Sequence, residues 1–292
     1  MTFEIDFLIV GLMQVLAFFV LGTTGFGATV ISAPVTNGLF GTTMGVPYGT
    51  LVCIPFLYYL AIKDRKNISW KDLSKIVILC APGIFIGQKL FYSISPATAK
   101  LAIGAMITII AVMNIHKYII KPLVLKEVEV TDTPDTLGKK VYRYGCLILG
   151  GIVHGAFTIG GPLITVYTLE AVKDKKKFRN TMTSLWCILN VWNAFTQYQM
   201  GAFTPRLGSA LLVAMPLAAI GYFAGIKFLD KINREQFLRI VYMLLLFIGV
   251  NMLFRNIPWT PEIFKGVVIG LPIIVIGYIL IIMKNRKNIM SN

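Results

Sequence analysis

Runs of about twenty apolar residues recur along this chain of 292 residues, separated by short stretches that carry Lys and Arg. A helix of that length crosses a hydrocarbon core about 30 Å thick. Because lipid offers the backbone no hydrogen bonds, a run that crosses must be helical. Nine segments can be marked, at approximately 7–40, 45–62, 74–92, 98–117, 144–171, 180–200, 207–227, 236–254 and 265–283. The sequence therefore predicts an all-α polytopic membrane protein.

The composition of the chain argues against a soluble protein. Hydrophobic residues make up 56% of the sequence and charged residues only 14%, so a soluble domain of this length would lack polar surface. The net charge of +15 could suggest nucleic acid, but the basic residues lie in short clusters between the apolar runs. We therefore expect a lipid bilayer around the protein and no nucleic-acid partner.

Signals for metal binding and for catalysis are missing from the sequence. The four cysteines lie inside apolar stretches, without the spacing of metal ligands. The motifs of zinc proteases, serine hydrolases and nucleotide hydrolases do not occur, and no two carboxylates share an apolar segment. We therefore expect a protein that is not an enzyme and that needs no cofactor or metal.

The distribution of the 28 Lys and Arg residues predicts the topology. If every segment crossed once with the N-terminus inside, the inner loops would hold 14 of them and the outer loops 13, and Lys89 lies within a segment in either arrangement. If segment 144–171 instead enters and leaves on the same side, 23 lie inside and four outside. The positive-inside rule favours the second arrangement. The fifth segment is thus predicted to be a re-entrant hairpin, and the C-terminus to be cytoplasmic.

Short matches relate the two halves of the chain. They keep the same order and nearly constant offsets of 133, 134 and 138 residues. The pairs are Gly22–Gly27 with Gly155–Gly160, Leu51–Ile54 with Leu185–Ile188, and Gly83–Lys89 with Gly221–Lys227. By symmetry, segment 7–40 should also be a hairpin, although a single broken crossing stays open. The halves then have opposite orientations, as in transporters built from inverted repeats.

This repetition divides the chain into four parts. We predict a first transmembrane repeat at 1–117, a cytoplasmic linker at 118–143, a second repeat at 144–256, and an extra C-terminal helix with its tail at 257–292. Each repeat then consists of a Gly-broken hairpin segment followed by three transmembrane helices.

The strongest local motif is His154–Pro162, which holds three glycines and a proline and should break a helix within the membrane. Such a break survives only where protein, water or ligand satisfies the backbone. Half-helix N-termini that point N–H groups inward form an anion site, and Gly160 and Gly161 permit close approach. Tight packing through small residues is the alternative. Recurrence of the break at Gly22–Gly27 favours binding.

Polar side chains near these breaks complete the predicted site. Arg179 borders the sixth apolar segment, and Thr181 and Asn190 follow within it. His154 could contact the anion, carry a coupling proton, or be satisfied by a backbone carbonyl. The predicted substrate-binding residues are Thr23, Thr24, Gly25, Gly27, His154, Thr158, Gly160, Gly161, Arg179, Thr181 and Asn190.

Several of these motifs together resemble the sulfite exporter TauE/SafE family. A glycine-rich segment opens each half, at Gly22–Pro34 and Gly151–Pro162, and Lys177–Thr181 is followed by Asn190. Gly-x-x-x-Gly segments begin at Gly83 and Gly221. The resemblance covers roughly residues 8–255. One departure is Gly27-Ala-Thr, where the family often has a run of glycines, and this could reshape the pocket.

The resemblance implies a secondary transporter in the bacterial inner membrane that exports sulfite or an organosulfonate such as sulfoacetate. It also implies that an ion gradient drives transport, with a proton or sodium ion as the coupling ion. In the predicted mechanism the two broken segments meet near the midplane, and one half rocks against the other. A passive anion channel, or a carrier of a different small carboxylate or oxyanion, is the competing hypothesis. A homodimer is compatible with the sequence.

Overall fold

The computed structural model describes residues 4–90, 96–125, 136–157 and 160–290. Within these ranges the chain is 91% helical and contains no strand, which confirms the predicted all-α architecture. The described residues form ten α-helices: α1 Ile5–Thr24, α2 Ala28–Lys63, α3 Trp70–Leu90, α4 Pro96–Ile115, α5 Leu137–Phe157, α6 Gly161–Ala171, α7 Lys175–Gln199, α8 Pro205–Lys231, α9 Arg234–Asn256 and α10 Pro261–Met290. A 3₁₀ turn, Arg65–Asn67, follows α2, and a π-helical stretch, His116–Leu125, continues α4.

Five helical segments in the described part of the chain are long and apolar enough to cross a membrane. They are Ile5–Thr24, Thr43–Lys63, Lys100–Leu125, Pro205–Lys231 and Arg234–Asn256. A multi-pass membrane protein is therefore confirmed by helix length and hydropathy together. Of the predicted linker, positions 126–135 lie outside the described residues.

The first glycine-rich segment interrupts the helical path where the sequence predicts a break. α1 ends at Thr24, and Gly25 and Gly27 adopt φ values of 81° and 93° before α2 begins at Ala28. Residues with a Cβ rarely adopt these angles, so the tight turn requires glycine. A further interruption occurs inside α2, at Gly41, in the interval between the first two apolar segments of the sequence.

The described helices divide into two compact units. One consists of Met1–Leu90 with Lys140–Phe237, and the other of Phe91–Lys139 with Leu238–Asn292. In the second unit α4 packs against α9, where Gly104 faces the carbonyl of Gly249.

In the first unit, α1 packs against α8 through small residues. A Cβ at Gly22 would collide with the carbonyl oxygen of Tyr222, and a Cβ at Gly221 would collide with that of Val15. Glycine at both positions lets the two backbones touch, as is common between membrane helices.

Helices α3 and α5 of the same unit make a similar contact. A Cβ at Gly83 would lie 2.9 Å from the carbonyl oxygen of Ile148, and one at Gly155 would collide with the carbonyl of Ile84. The pair α1 and α8 and the pair α3 and α5 are thus both packed so closely that their backbones are in contact.

Helix α7 begins at a defined cap. Asp174 has extended backbone angles, and its carboxylate accepts a hydrogen bond of 2.8 Å from the backbone N–H of Lys177. An aspartate in this position satisfies one of the amides at the start of the helix and favours its dipole. This cap defines the start of α7, the helix that carries Arg179, Thr181 and Asn190 of the candidate site.

Candidate functional site

Helix α7 brings the sequence-predicted residues to two clusters within the first unit. One surrounds Arg179, and the other surrounds Trp186, seven residues further along the same helix. Seven residues are close to two helical turns, so both side chains lie on one face, about 10 Å apart along the axis. We call them the arginine cluster and the tryptophan cluster.

The arginine cluster is built on a buried ion pair. Arg179 Nη2 lies 3.3 Å from Asp64 Oδ2, and Arg179 Nε donates a hydrogen bond of 2.9 Å to Asn180 Oδ1. Arg179 Nη1 is buried and has no hydrogen-bond partner among the described residues. Part of the hydrogen-bonding capacity of this guanidinium is therefore unused within the described residues.

The first glycine break rests directly on the backbone of Arg179. A Cβ at Gly25 would lie 2.5 Å from the carbonyl oxygen of Arg179, so only glycine fits this contact. The turn at 25–27 and the start of α7 are thereby brought together, and Gly25 and Arg179 belong to one cluster.

The neighbouring threonines use their hydroxyl groups within the fold. Thr23 donates to the carbonyls of Phe19 at 2.8 Å and Gly225 at 3.2 Å. Thr24 donates to the carbonyls of Val20 at 2.8 Å and Phe26 at 2.9 Å. These bonds stabilise the end of α1 and the turn that follows it.

Side chains after Arg179 attach the loop that follows α2 to the start of α7. Asn180 donates a hydrogen bond of 3.0 Å to the carbonyl of Asp64, and Thr181 accepts one of 3.0 Å from the backbone N–H of Ser69. The position of Asp64 opposite Arg179 depends on these bonds. Thr181 thus lies in the arginine cluster, with its hydroxyl directed at this loop.

The tryptophan cluster contains two buried nitrogens without partners. The ring of His154 lies 5.7 Å from that of Trp186 at an angle of 38°. Neither His154 Nδ1 nor Trp186 Nε1 makes a hydrogen bond within the described ranges. An indole nitrogen can only donate, whereas a histidine nitrogen donates or accepts according to its tautomer.

The second glycine-rich segment brings the start of α6 into this cluster. A Cβ at Gly160 would lie 2.9 Å from the backbone nitrogen of His154, and one at Gly161 would lie 3.2 Å from the indole of Trp186. α6 begins at Gly161 without a side-chain cap. Pro162 has no N–H, and the N–H groups of Leu163 and Ile164 each donate a hydrogen bond of 3.1 Å to the carbonyl of Gly160, so among the described residues only the N–H of Gly161 is left without an acceptor in this first turn. Thr158 lies outside the described residues.

Asn190 lies one turn beyond Trp186 on the same face of α7 and is half-buried. Its amide has no hydrogen-bond partner in the part of the chain that the structure describes. The arrangement therefore offers one guanidinium and several neutral donors along a single helix face, which is a suitable set for an oxyanion.

Three residues of these clusters, Asp64, Asn180 and Trp186, are not among those predicted. Asp64 lies in the basic stretch Lys63–Lys66, where it is indistinguishable from a solvated loop residue. Trp186 stands in an apolar run, which is typical of an interfacial or packing residue. The Lys and Arg clusters around Asp64 and Arg179, which the positive-inside rule assigns to the same side of the membrane, are the signal in the sequence that these two residues could meet.

Membrane-spanning helices, glycine-interrupted segments and a buried set of anion-compatible donors together define a multi-pass membrane transporter. The family model for the sulfite exporter TauE/SafE matches residues 10–252, which is most of the chain. The protein belongs to the sulfite exporter TauE/SafE family, whose members are membrane transporters for sulfite-type anions. Comparisons with curated proteins and with solved structures gave no match.

Proposed function

We propose that this protein is a secondary transporter that exports a small sulfur-containing anion, such as sulfite or an organosulfonate like sulfoacetate, by alternating access. The observation that carries the proposal is the buried Arg179 guanidinium, whose Nη1 has no partner among the described residues. A buried, always-charged group is costly unless it is paired, and its fork of donors matches an oxyanion.

The tryptophan cluster supplies the second part of the proposed binding site. Trp186 Nε1 and the backbone N–H of Gly161 at the start of α6 can donate to the oxygens of a sulfite or sulfonate group. The absence of side chains at Gly160 and Gly161 lets the start of α6 lie directly against α5 and the indole of Trp186. His154 would sense protonation or contact the anion through Nδ1, which is buried and unpartnered in the described part of the chain.

Contacts between helices support two inverted repeats at 1–117 and 144–256. Gly22 of α1 touches Tyr222 of α8, and Gly155 of α5 touches Ile84 of α3. Gly22 is equivalent to Gly155 at the offset of 133 residues, and Ile84 is equivalent to Tyr222 at the offset of 138 residues. Replacing each residue of one contact by its equivalent in the other repeat therefore yields the other contact, as a two-fold axis between the repeats would produce. The positive-inside charge split favours an axis in the membrane plane, and thus opposite orientations.

Contacts between the ends of each Gly-broken segment support the two hairpins. The rings of Phe7 and Phe40 lie 5.9 Å apart, and Arg143 Nε lies 3.7 Å from Glu170 Oε2. α6 has 11 residues and rises only about 16 Å, too little to cross the membrane alone. We infer that segment 144–171 enters and leaves on the cytoplasmic side of the bacterial inner membrane, the side of the linker 118–143 and the C-terminus.

Transport by purified protein in liposomes tests the proposal. We expect efflux of sulfite or sulfoacetate that accelerates, and accumulates anion against its own gradient, when a proton or sodium gradient is imposed. Accumulation against a gradient excludes a passive channel. Flux that only dissipates the anion gradient would establish the channel hypothesis instead, and movement of carboxylates without sulfur anions would contradict the substrate class.

A further inference from the structure

Five residues of α7 that carry polar side-chain atoms lie along one face for most of its length. Intervals of seven, four, three and four residues separate Arg179, Trp186, Asn190, Asn193 and Gln197. Such intervals keep residues on the same side of a helix. We call this set the α7 polar stripe. Between its first and last residues the helix rises about 27 Å, close to the thickness of the hydrocarbon core.

In the second half of α7 the face opposite the stripe is apolar and exposed. Ile188 is 50% exposed and Phe195 is 54% exposed, whereas Asn190, Asn193 and Gln197 are half-buried. The apolar face suits lipid. The α7 polar stripe is consequently directed into the protein.

Hydrogen-bonding capacity along the stripe is largely unused. Arg179 Nη1, Trp186 Nε1 and Gln197 Oε1 are buried without hydrogen-bond partners within the described residues. In the same part of the chain no hydrogen bond is made by the amides of Asn190 and Asn193. Buried polar groups without partners are costly, and polar residues of membrane helices face a partner or a water-filled cavity.

Other helices of the first unit contact the stripe at both ends and at its middle. Asp64, which follows α2, pairs with Arg179, and Thr50 of α2 accepts a hydrogen bond of 3.0 Å from Gln197 Nε2. Gly161, at the start of α6, faces Trp186. Asn190 and Asn193 lie between these contacts and remain available to a ligand.

We propose that the α7 polar stripe is a wall of the anion pathway, and that Asn190 and Asn193 form an uncharged amide subsite for the same anion. This inference rests on the proposed function. Amide N–H groups can donate to sulfonate oxygens, as the guanidinium does, but without a full charge. An anion held there is bound weakly enough to move on, which transport requires.

Cysteine labelling in liposomes tests the pathway. Single cysteines replace Asn190, Asn193 and Gln197, with Ile188→Cys and Phe195→Cys as controls on the opposite face. The four native cysteines are buried and define the background. A thiol reacts as its thiolate, which forms in water and not in lipid, so a charged methanethiosulfonate should label stripe positions about tenfold faster. Equal or slower labelling than at the control positions would overturn the inference.

Protection by sulfoacetate tests the subsite itself. This anion is suitable because it does not reduce the disulfide by which the methanethiosulfonate label is attached. We expect it to slow labelling at positions 190 and 193 about threefold or more, and not at 188 or 195. Absence of protection in a protein that transports sulfoacetate would overturn the subsite. If wild-type protein transports no sulfur anion, the proposed function fails, and the labelling pattern alone then decides whether the stripe is a pathway.

Because a cysteine variant can fail to fold, carboxylate variants provide a second measurement. Asn193→Asp places a negative charge in the subsite and should raise the KM for sulfoacetate about tenfold, whereas Asn193→Gln keeps the amide and should stay near wild type. Equal KM values for the two variants, at equal amounts of folded protein, would contradict the subsite.

Discussion

The guanidinium of Arg179 lies 3.3 Å from the carboxylate of Asp64, and the two side chains differ in exposure. Arg179 is 3% exposed and Asp64 is 30% exposed. The Asp64 carboxylate therefore lies between the buried guanidinium of Arg179 and the exposed end of α2. It balances the charge of Arg179, and in the proposed mechanism an entering anion would compete with it for the guanidinium.

Replacing Asp64 by Asn should leave Arg179 buried without a counter-charge. Breaking a buried pair is strongly destabilising, but the partial exposure of Asp64 reduces the expected loss to about 2 kcal/mol. An anion bound at Arg179 would restore the balance. Sulfoacetate should therefore raise the melting temperature of Asp64→Asn protein more than that of the wild type, as measured by thermal shift.

The exposed pair between Glu4 and Arg206 provides the control for this experiment. Arg206 Nη2 lies 2.6 Å from Glu4 Oε2, and this bond holds the pKa of Glu4 below its ordinary value. Glu4→Gln should change stability little, because exposed pairs contribute little, and should leave the response to sulfoacetate unchanged. A melting temperature of Asp64→Asn that rises no more than that of Glu4→Gln would contradict anion binding at Arg179.

The turn after α1 depends on Gly25. Gly25→Ala would hold an alanine at a φ of 81° and place its Cβ 2.5 Å from the carbonyl oxygen of Arg179. The backbone strain and the collision should together cost about 2–4 kcal/mol of stability. Thermal unfolding in detergent measures the loss.

Gly38 offers a matched comparison within α2. A Cβ there meets no atom within 4 Å, and the helical backbone accepts alanine. Gly38→Ala should be neutral or stabilising by up to about 1 kcal/mol. Equal effects at Gly25 and Gly38 would show that the turn does not require glycine.

Local features of the fold could be predicted from the sequence because they depend on nearby residues. Apolar runs require helices in lipid, and clustered glycines mark Gly25 and Gly27 as the place where α1 ends. Family membership followed from motif order. The contact of this break with α7 depends instead on packing between distant parts of the chain, and the residues around Gly25 do not indicate that it lies against Arg179.

The composition of the site was harder to predict for the same reason. Thr23 and Thr24 have the chemistry of anion donors, yet their hydroxyls donate to backbone carbonyls near the end of α1. Asp64 and Arg179 are 115 positions apart, and no local pattern pairs one acidic residue with one of many cations. The sequence also provides no distance between the two broken segments, which are predicted to meet near the midplane. The first broken segment contacts α7 at Arg179 and the second contacts it at Trp186, and these residues are about 10 Å apart along the helix axis.

If the repeats are related by a two-fold axis, equivalent glycines should be equally sensitive. Gly22→Ala and Gly155→Ala each direct a methyl group at a backbone carbonyl, of Tyr222 and Ile84 respectively. Each should lower stability by about 1–3 kcal/mol through overpacking. Gly208→Ala meets no atom within 4 Å and is the control. A large effect at one glycine with none at the other, measured by thermal unfolding, would contradict the equivalence.

Trp186 tests whether the tryptophan cluster contacts the anion. Trp186→Phe keeps an aromatic ring beside His154 and removes the indole N–H, which has no partner among the described residues. Loss of one hydrogen bond to a charged ligand costs about 1.5–3 kcal/mol, so the KM for sulfoacetate should rise roughly tenfold or more while the protein remains folded. Trp192, which is 64% exposed, lies on the lipid-facing side of α7 and gives the matched control, Trp192→Phe. If initial transport rates show equal KM values for these two variants, the Trp186 nitrogen does not bind the anion and the site is confined to the arginine cluster.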